Sequence, residues 1–362
     1  MQSPVGILTF HNGPNYGAFM QAWHLREAVR NFGQEVYTIN YLHPTHVQHN
    51  KQSRPVRNLS SLKHWYHWRV KRAPFRGIAD GLCREPFTTD PAQVPWTSYR
   101  GILVGSDVVL DFQNPDFGRD PAYFGALPEQ SQTPFATYAA SCGKADVEAD
   151  LPDFAQGLKR FSALGVRDRT THRLVSRATA RDATLVVDPT WLGDDPPPRV
   201  TKRPKQPYVV VYGASVGDVL GPALSAYCKK RGLLLVSAAA RCRWADLKLR
   251  SLHPFDWVDL IRGAEATVIS GLHGTLYSIK YGKPFILVNN ESTNQKVRLA
   301  LEKTGQGFRL FERSSLNSEV LGLLEKEGGQ IPEVPAHWIQ ESKAFLEASL
   351  SFTDSRNESQ EQ

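Results

Sequence analysis

Val268-Ile-Ser-Gly-Leu-His-Gly-Thr-Leu-Tyr-Ser-Ile-Lys-Tyr-Gly-Lys-Pro-Phe-Ile-Leu-Val288 reads as a strand, a tight turn, a short helix and a second strand. The β-branched run Thr267 to Ile269 suits a buried parallel strand. Leu276 and Ile279 give the helix its apolar side, Gly282 can supply a left-handed cap, and Phe285 to Val288 resumes the sheet. In open α/β sheets, ligands gather at the carboxyl ends of the strands. His273 falls in such a turn, where the free N–H groups of Gly274 and Thr275 at the helix start favour an anion beside the imidazole. Position alone equally suits a turn histidine whose ring is satisfied by its neighbours.

The same alternation runs through the rest of the chain. Val5 to Phe10 reads as a first strand, His11-Asn-Gly-Pro-Asn-Tyr-Gly17 as a loop, and Ala18 to Phe32 as a helix whose apolar positions recur at helical spacing. Asn12, Asn15, Tyr16 and Gly17 stand at the helix mouth and can meet a ligand, although asparagines also serve turns for their backbone geometry alone. The loop carries neither GxGxxG nor GxxxxGK[ST], which excludes a dinucleotide fingerprint and a Walker loop. Further strands are expected at Glu35 to Tyr41, at Tyr99 to Asp107 with Ser106 and Asp107 at its carboxyl end, at Phe135 to Ala140, from Leu164 into Arg169 following a helix at about Asp153 to Ser162, and at Thr184 to Thr190. Arg167 follows a short strand, where its planar fork can clamp a carboxylate or phosphate, or pair with Asp168 or another neighbour.

A proline-rich connector, Asp194 to Pro207, can continue neither helix nor sheet and marks a domain boundary. The expected division is an N-terminal domain over 1–195 with a basic and aromatic insertion at 43–84, a C-terminal domain over 205–350 whose last helix, Trp338 to Leu350, can cross back, and a disordered tail at 351–362. A length of 362 residues also exceeds what one hydrophobic core usually serves.

Composition narrows the function classes. With 41% hydrophobic and 22% charged residues and no bilayer-length apolar run, the chain reads as soluble. No signal-type leader opens it, so cytoplasmic residence is the expectation. The four cysteines are widely spaced without a CxxC pair, which encodes neither a disulfide framework nor a zinc site, and no acidic cluster has metal-ligand spacing. The formal charge of +7 favours anionic partners. Much of it lies between Lys51 and Arg76, where eight lysines and arginines and no carboxylate interleave with Trp65, Tyr66, Trp68 and Phe75. Such a patch suits the inner face of an anionic membrane, a channel for an anionic substrate, or a solvated helix with aromatics in the core. No nucleic-acid-binding motif accompanies it.

The fragments GILTFHNGPNYGAFMQAWHL, ILVGSD, TYAASCG, LGVRDR, VVDPTWL and VISGLHGTLYSIKYGKPFILV, in this order, resemble the polysaccharide pyruvyl transferase family from about Val5 to Gly305. The resemblance implies an α/β, GT-B-like fold with two Rossmann-like domains facing a cleft. It also implies transfer of a pyruvyl group from phosphoenolpyruvate to a glycan or lipid-linked sugar as a cyclic ketal, with no cofactor beyond that donor. His273 would be the catalytic acid or base and Arg167 would hold the donor. Asn12, Asn15, Tyr16, Gly17, Ser106, Asp107, Gly274, Thr275 and Lys280 would complete substrate binding. Two departures touch the donor site: Gly271 stands where members with Ser-Arg-Leu-His have arginine, and Ser270 where others have aspartate. After Asp107, Val108-Val-Leu110 replaces the Gln-Val-Trp of many members. A nucleotide-sugar glycosyltransferase or related sugar enzyme on the same architecture and a non-catalytic glycan-binding protein are the competing functions.

Overall fold

In the computed structural model of the chain, every described strand pairs in parallel with its neighbours. The described residues are 3–51, 65–66, 69–70, 72–75, 77–114, 120–130, 132–145, 152–200, 202–213, 216, 220–239, 242–289, 294–325 and 331–352. Contacts divide them into two units, one from residues 1–52, 77–193 and 337–362, the other from 53–76 and 194–336.

The first unit contains β1 (Val5–Leu8), α1 (Tyr16–Asn31), β2 (Val36–Thr38), α2 (Pro44–Lys51), β3 (Gly101–Val104), β4 (Phe135–Ala140), α3 (Pro152–Lys159), β5 (Phe161–Val166), α4 (Arg169–Thr179) and β6 (Thr184–Leu185). Its six-stranded sheet runs β2-β1-β3-β4-β5-β6. The strand order reverses between β1 and β3, and a crevice for ligands forms at such a reversal. β1, β3 and β4 are buried at every position, as a sheet covered on both faces requires. Gly105 directly follows β3 at φ 120, where a Cβ would lie 2.3 Å from the Tyr138 carbonyl oxygen, so only glycine lets the chain pass β4 there.

The second unit contains β7 (Tyr208–Tyr212), α5 (Gly221–Lys230), β8 (Leu234–Ala238), β9 (Leu247–Leu249), α6 (Pro254–Arg262), β10 (Ala266–Ile269), α7 (Leu272–Lys280), β11 (Phe285–Val288), α8 (Asn294–Lys303) and β12 (Leu310–Phe311). The sheet order β12-β11-β10-β7-β8-β9 is the Rossmann arrangement, with its reversal between β7 and β10. Arg309 lies in the core at 1% exposure. It donates to the carbonyls of Phe285 and Leu323 and to Gln306, and so fastens the short helix Glu319–Leu324 beneath β11.

The last helix, α9 (Ala336–Ser349), belongs to the first unit. Trp338 donates to the Leu185 carbonyl at 3.0 Å, Ser342 accepts from Val187 N at 3.0 Å, and Phe345 fills the space left by Gly165 on β5. The strand expected over Thr184 to Thr190 is only Thr184–Leu185, because Asp188 caps a short 3-10 helix, Pro189–Trp191. Neither edge strand β9 nor β12 was expected from the sequence.

Much of the basic and aromatic stretch from 51 to 76, and the tail from 353, lie outside the described residues. Of that stretch, Phe75 is buried, Tyr66 is exposed, and the Arg69 guanidinium stands 4.9 Å from the Trp65 ring centroid. Among the described residues no helix is long and apolar enough to cross a membrane, and no cluster of histidine, cysteine and carboxylate side chains could hold a metal ion.

Candidate active site

His273 occupies the first turn of α7 at the carboxyl end of β10, beside the strand-order reversal of the second unit. The imidazole is half-buried. Gly271 is the N-cap residue, and its carbonyl accepts from Thr275 N at 3.3 Å and from Thr275 Oγ1 at 3.0 Å. Thr275 therefore spends its N–H on the helix ladder, contrary to the expectation of a free donor there. The amides available to an anion belong to the residues before it, which start the helix.

Gly274 is a packing residue. A Cβ there would lie 2.7 Å from Ile269 Cγ2 and 3.1 Å from Tyr212 Cδ1, so glycine lets α7 lie close on β10 and β7. Gly271 differs: its φ of −165° suits any residue, and a Cβ would meet only Tyr212 Cε1, at 4.0 Å.

Lys280 does not join this mouth. It lies seven residues further along α7, about 10 Å at the helical rise, and its Nζ sits 3.0 Å from Asp195 Oδ2. Burial pulls the ammonium below the usual lysine range while Asp195 draws it back up. The sequence expectation of a substrate-binding lysine is corrected by helix geometry.

In the first unit the switch point is closed by a polar network. Gln21 of α1 donates through Nε2 to Thr9 Oγ1, Phe10 O and Ala18 O, and accepts from Ser106 Oγ. Thr9 Oγ1 donates to the Ser106 carbonyl at 3.0 Å. His11 is buried between the Thr9 carbonyl and Asn40, and burial lowers its pKa. Gln21, Thr9, His11 and Asn40 were not singled out as site residues in the sequence, since nothing local distinguishes them from core and turn positions. Ser106, at 0% exposure, is a tie between the loops after β1 and β3 rather than a surface for substrate.

The other first-loop candidates divide in the same way. Asn15 is the N-cap of α1, its Oδ1 accepting from Gly17 N and Ala18 N, and Tyr16 and Gly17 are buried at the helix start. Asn15 thereby satisfies two of the orphan donors at the helix start. Asn12 remains half-buried on the rim.

Arg167 is inside the unit, at 4% exposure. Its Nη1 lies 3.0 Å from Asp188 Oδ2 and its Nη2 lies 3.3 Å from Asp107 Oδ1, so one guanidinium joins the segments after β3, β5 and β6. Asp168, the neighbour considered as its partner, instead caps α4 through Thr171 N at 2.8 Å. Asp107 adopts φ 75 and also accepts from Val108 N. Asp188 carries a role the sequence did not disclose: it binds Arg167 and caps the helix turn after β6 through Thr190 N.

The profile of the family described as polysaccharide pyruvyl transferase matches residues 15–292, a span that takes in α1, Arg167 and His273. The chain belongs to the polysaccharide pyruvyl transferase family. No curated protein sequence matches it. Among solved structures, the UDP-GlcNAc 2-epimerase of Methanocaldococcus jannaschii, in complex with UDP-GlcNAc and UDP, is 8% identical at a TM-score of 0.50, over 98% of this chain and 100% of its own. The UDP-GlcNAc 2-epimerase of Neisseria meningitidis bound to UDP-GlcNAc is 9% identical at a TM-score of 0.50, over 97% and 100%. Identity at that level shows the fold alone, and within the pyruvyl transferase family the fold of this member is α/β and GT-B-like, with a Rossmann-like sheet in each unit.

Proposed function

We propose that this family member transfers the pyruvyl group of phosphoenolpyruvate to a sugar of a glycan or lipid-linked saccharide. The observation that carries this is His273, half-buried in the first turn of α7 at the strand-order reversal, in a chain matched by the family profile on either side of it. Ketal formation needs a proton delivered to the enol methylene, positive charge stabilised at the central carbon, and two hydroxyl protons removed as two C–O bonds form. The ester C–O bond breaks and phosphate leaves with one of those protons, so the other balances the methylene that becomes methyl. An imidazole can give and take such a proton, and the amides at the helix start suit the phosphate. Asn12 and Asp107, on the rim of the first unit, are assigned to substrate hydroxyls.

Incubating the purified chain with phosphoenolpyruvate and saccharides bearing neighbouring hydroxyls tests the proposal, with inorganic phosphate and the mass of a ketal product as readouts. Release of phosphate without any ketal would exclude it. Gly271 supports a second reading: space stands open where an arginine would contact an anionic donor, and a nucleotide-sugar enzyme would use the same helix start for a diphosphate. Calorimetric titration with phosphoenolpyruvate and with UDP separates the two.

A further inference from the structure

The connector that enters the second unit is fastened to the helix carrying His273, at the end away from the imidazole. Asp195 has a side chain 2% exposed; it lies 3.0 Å from Lys280 Nζ and also accepts from the Tyr281 hydroxyl. Arg262 of α6 donates to that hydroxyl at 3.0 Å and stands 5.1 Å from the Tyr281 ring centroid.

From Tyr281 a row of rings leads back along the helix. Tyr277 stacks on Tyr281 at 6.0 Å, Trp257 meets Tyr277 edge-on at 5.5 Å, and Tyr212 tilts against Trp257 at 5.0 Å. The Tyr212 ring is also the nearest group to an added Cβ at Gly271, and it stands close at Gly274. An unbroken series of packed groups thus joins the connector to the turn that holds His273. Interiors packed this closely transmit displacement rather than absorb it.

We infer that Asp195 and Lys280 are positioning residues for His273, setting where α7 stops along β10 and hence where the imidazole sits. The inference rests on His273 doing the chemistry proposed above. An Asp195→Asn change keeps the shape and an acceptor for Tyr281 but removes the carboxylate charge that lies 3.0 Å from the half-buried Lys280 ammonium. The ammonium then turns to water and drags the last turn of the helix, and a displacement of about 1 Å at a reacting group can cost on the order of 100-fold in rate.

The test uses the full chain and the variants D195N, K280M and K280R. D195N and K280M are expected to lower kcat for phosphate release roughly tenfold or more with KM for phosphoenolpyruvate unchanged, and K280R, which keeps the charge, to restore most of it. Amide exchange at Gly274 to Leu276 should quicken in D195N. Unchanged kcat in folded D195N and K280M overturns the inference, as does a loss that follows the unfolded fraction and is not restored by K280R. If the wild-type chain releases no phosphate from phosphoenolpyruvate, the proposed reaction fails separately. Exchange then decides the positioning role, and unchanged protection at Gly274 to Leu276 overturns it.

Discussion

Arg167 and Asp188 are an ion pair at 3.0 Å with side chains 3% and 4% exposed, and the same guanidinium holds Asp107. A cation enclosed in this way by two carboxylates is a buckle between segments rather than an open anion clamp. Removing it takes the cation from between two enclosed carboxylates. Arg167→Ala is therefore expected to destabilise the protein by about 3–5 kcal/mol, measured as a fall in the midpoint of urea unfolding. A variant of unchanged stability with weakened phosphoenolpyruvate binding would instead assign Arg167 to the donor.

His273→Ala should leave unfolding nearly unchanged, since the ring is half-buried in the first turn of α7. Loss of proton transfer is expected to slow turnover roughly 10²- to 10⁴-fold. Phosphate release under saturating substrates measures it, and a folded variant with full turnover removes His273 from the chemistry.

The two glycines flanking His273 predict opposite outcomes. Gly271→Arg enters open space at an extended backbone, so stability should change by no more than about 0.5 kcal/mol. The added guanidinium should tighten phosphoenolpyruvate binding by about 1.5–3 kcal/mol, read by calorimetry. Gly274→Ala instead forces a methyl to 2.7 Å from Ile269 Cγ2 and should destabilise by about 1–3 kcal/mol.

A pH dependence arises at His253. Its Nδ1 accepts from Phe255 N at the start of α6, and burial, with help from Arg199, lowers its pKa to about 4. Because the unfolded imidazole binds its proton near the ordinary value of 6.5, its stabilising contribution is complete above that pH and is lost as the pH falls from 6.5 towards 4. His253→Asn keeps a capping acceptor without titrating, so its stability should decline less across that window. Thermal unfolding at stepped pH measures the difference.

The central strands and amphipathic helices were legible because their patterns are local. The β-branched run into Ile269 is β10, and Gly282 does adopt φ 61 after α7. The edge strands β9 and β12, of three and two residues, carried too little apolar pattern to be found, whereas β2 and β6, equally short, sit inside longer β-branched runs. Ion-pair partners were hidden for another reason: Arg167 prefers Asp107 and Asp188 to adjacent Asp168 because the sheet brings strand ends together while Asp168 is committed to its helix. Lys280 is separated from His273 by two turns of α7, which the helical rise alone makes legible. The capping role of Asn15 was not legible because residues at a helix start can serve either the helix or a substrate.

Helix α9 completes the first unit but is encoded after the whole of the second. On a ribosome that delivers the chain from its amino end, the second unit emerges while β5 and β6 still lack the cover of Trp338, Ser342 and Phe345. The first unit is thus completed after the second, and a chain halted near position 330 would carry a whole second sheet and a first sheet whose β5 and β6 lack α9.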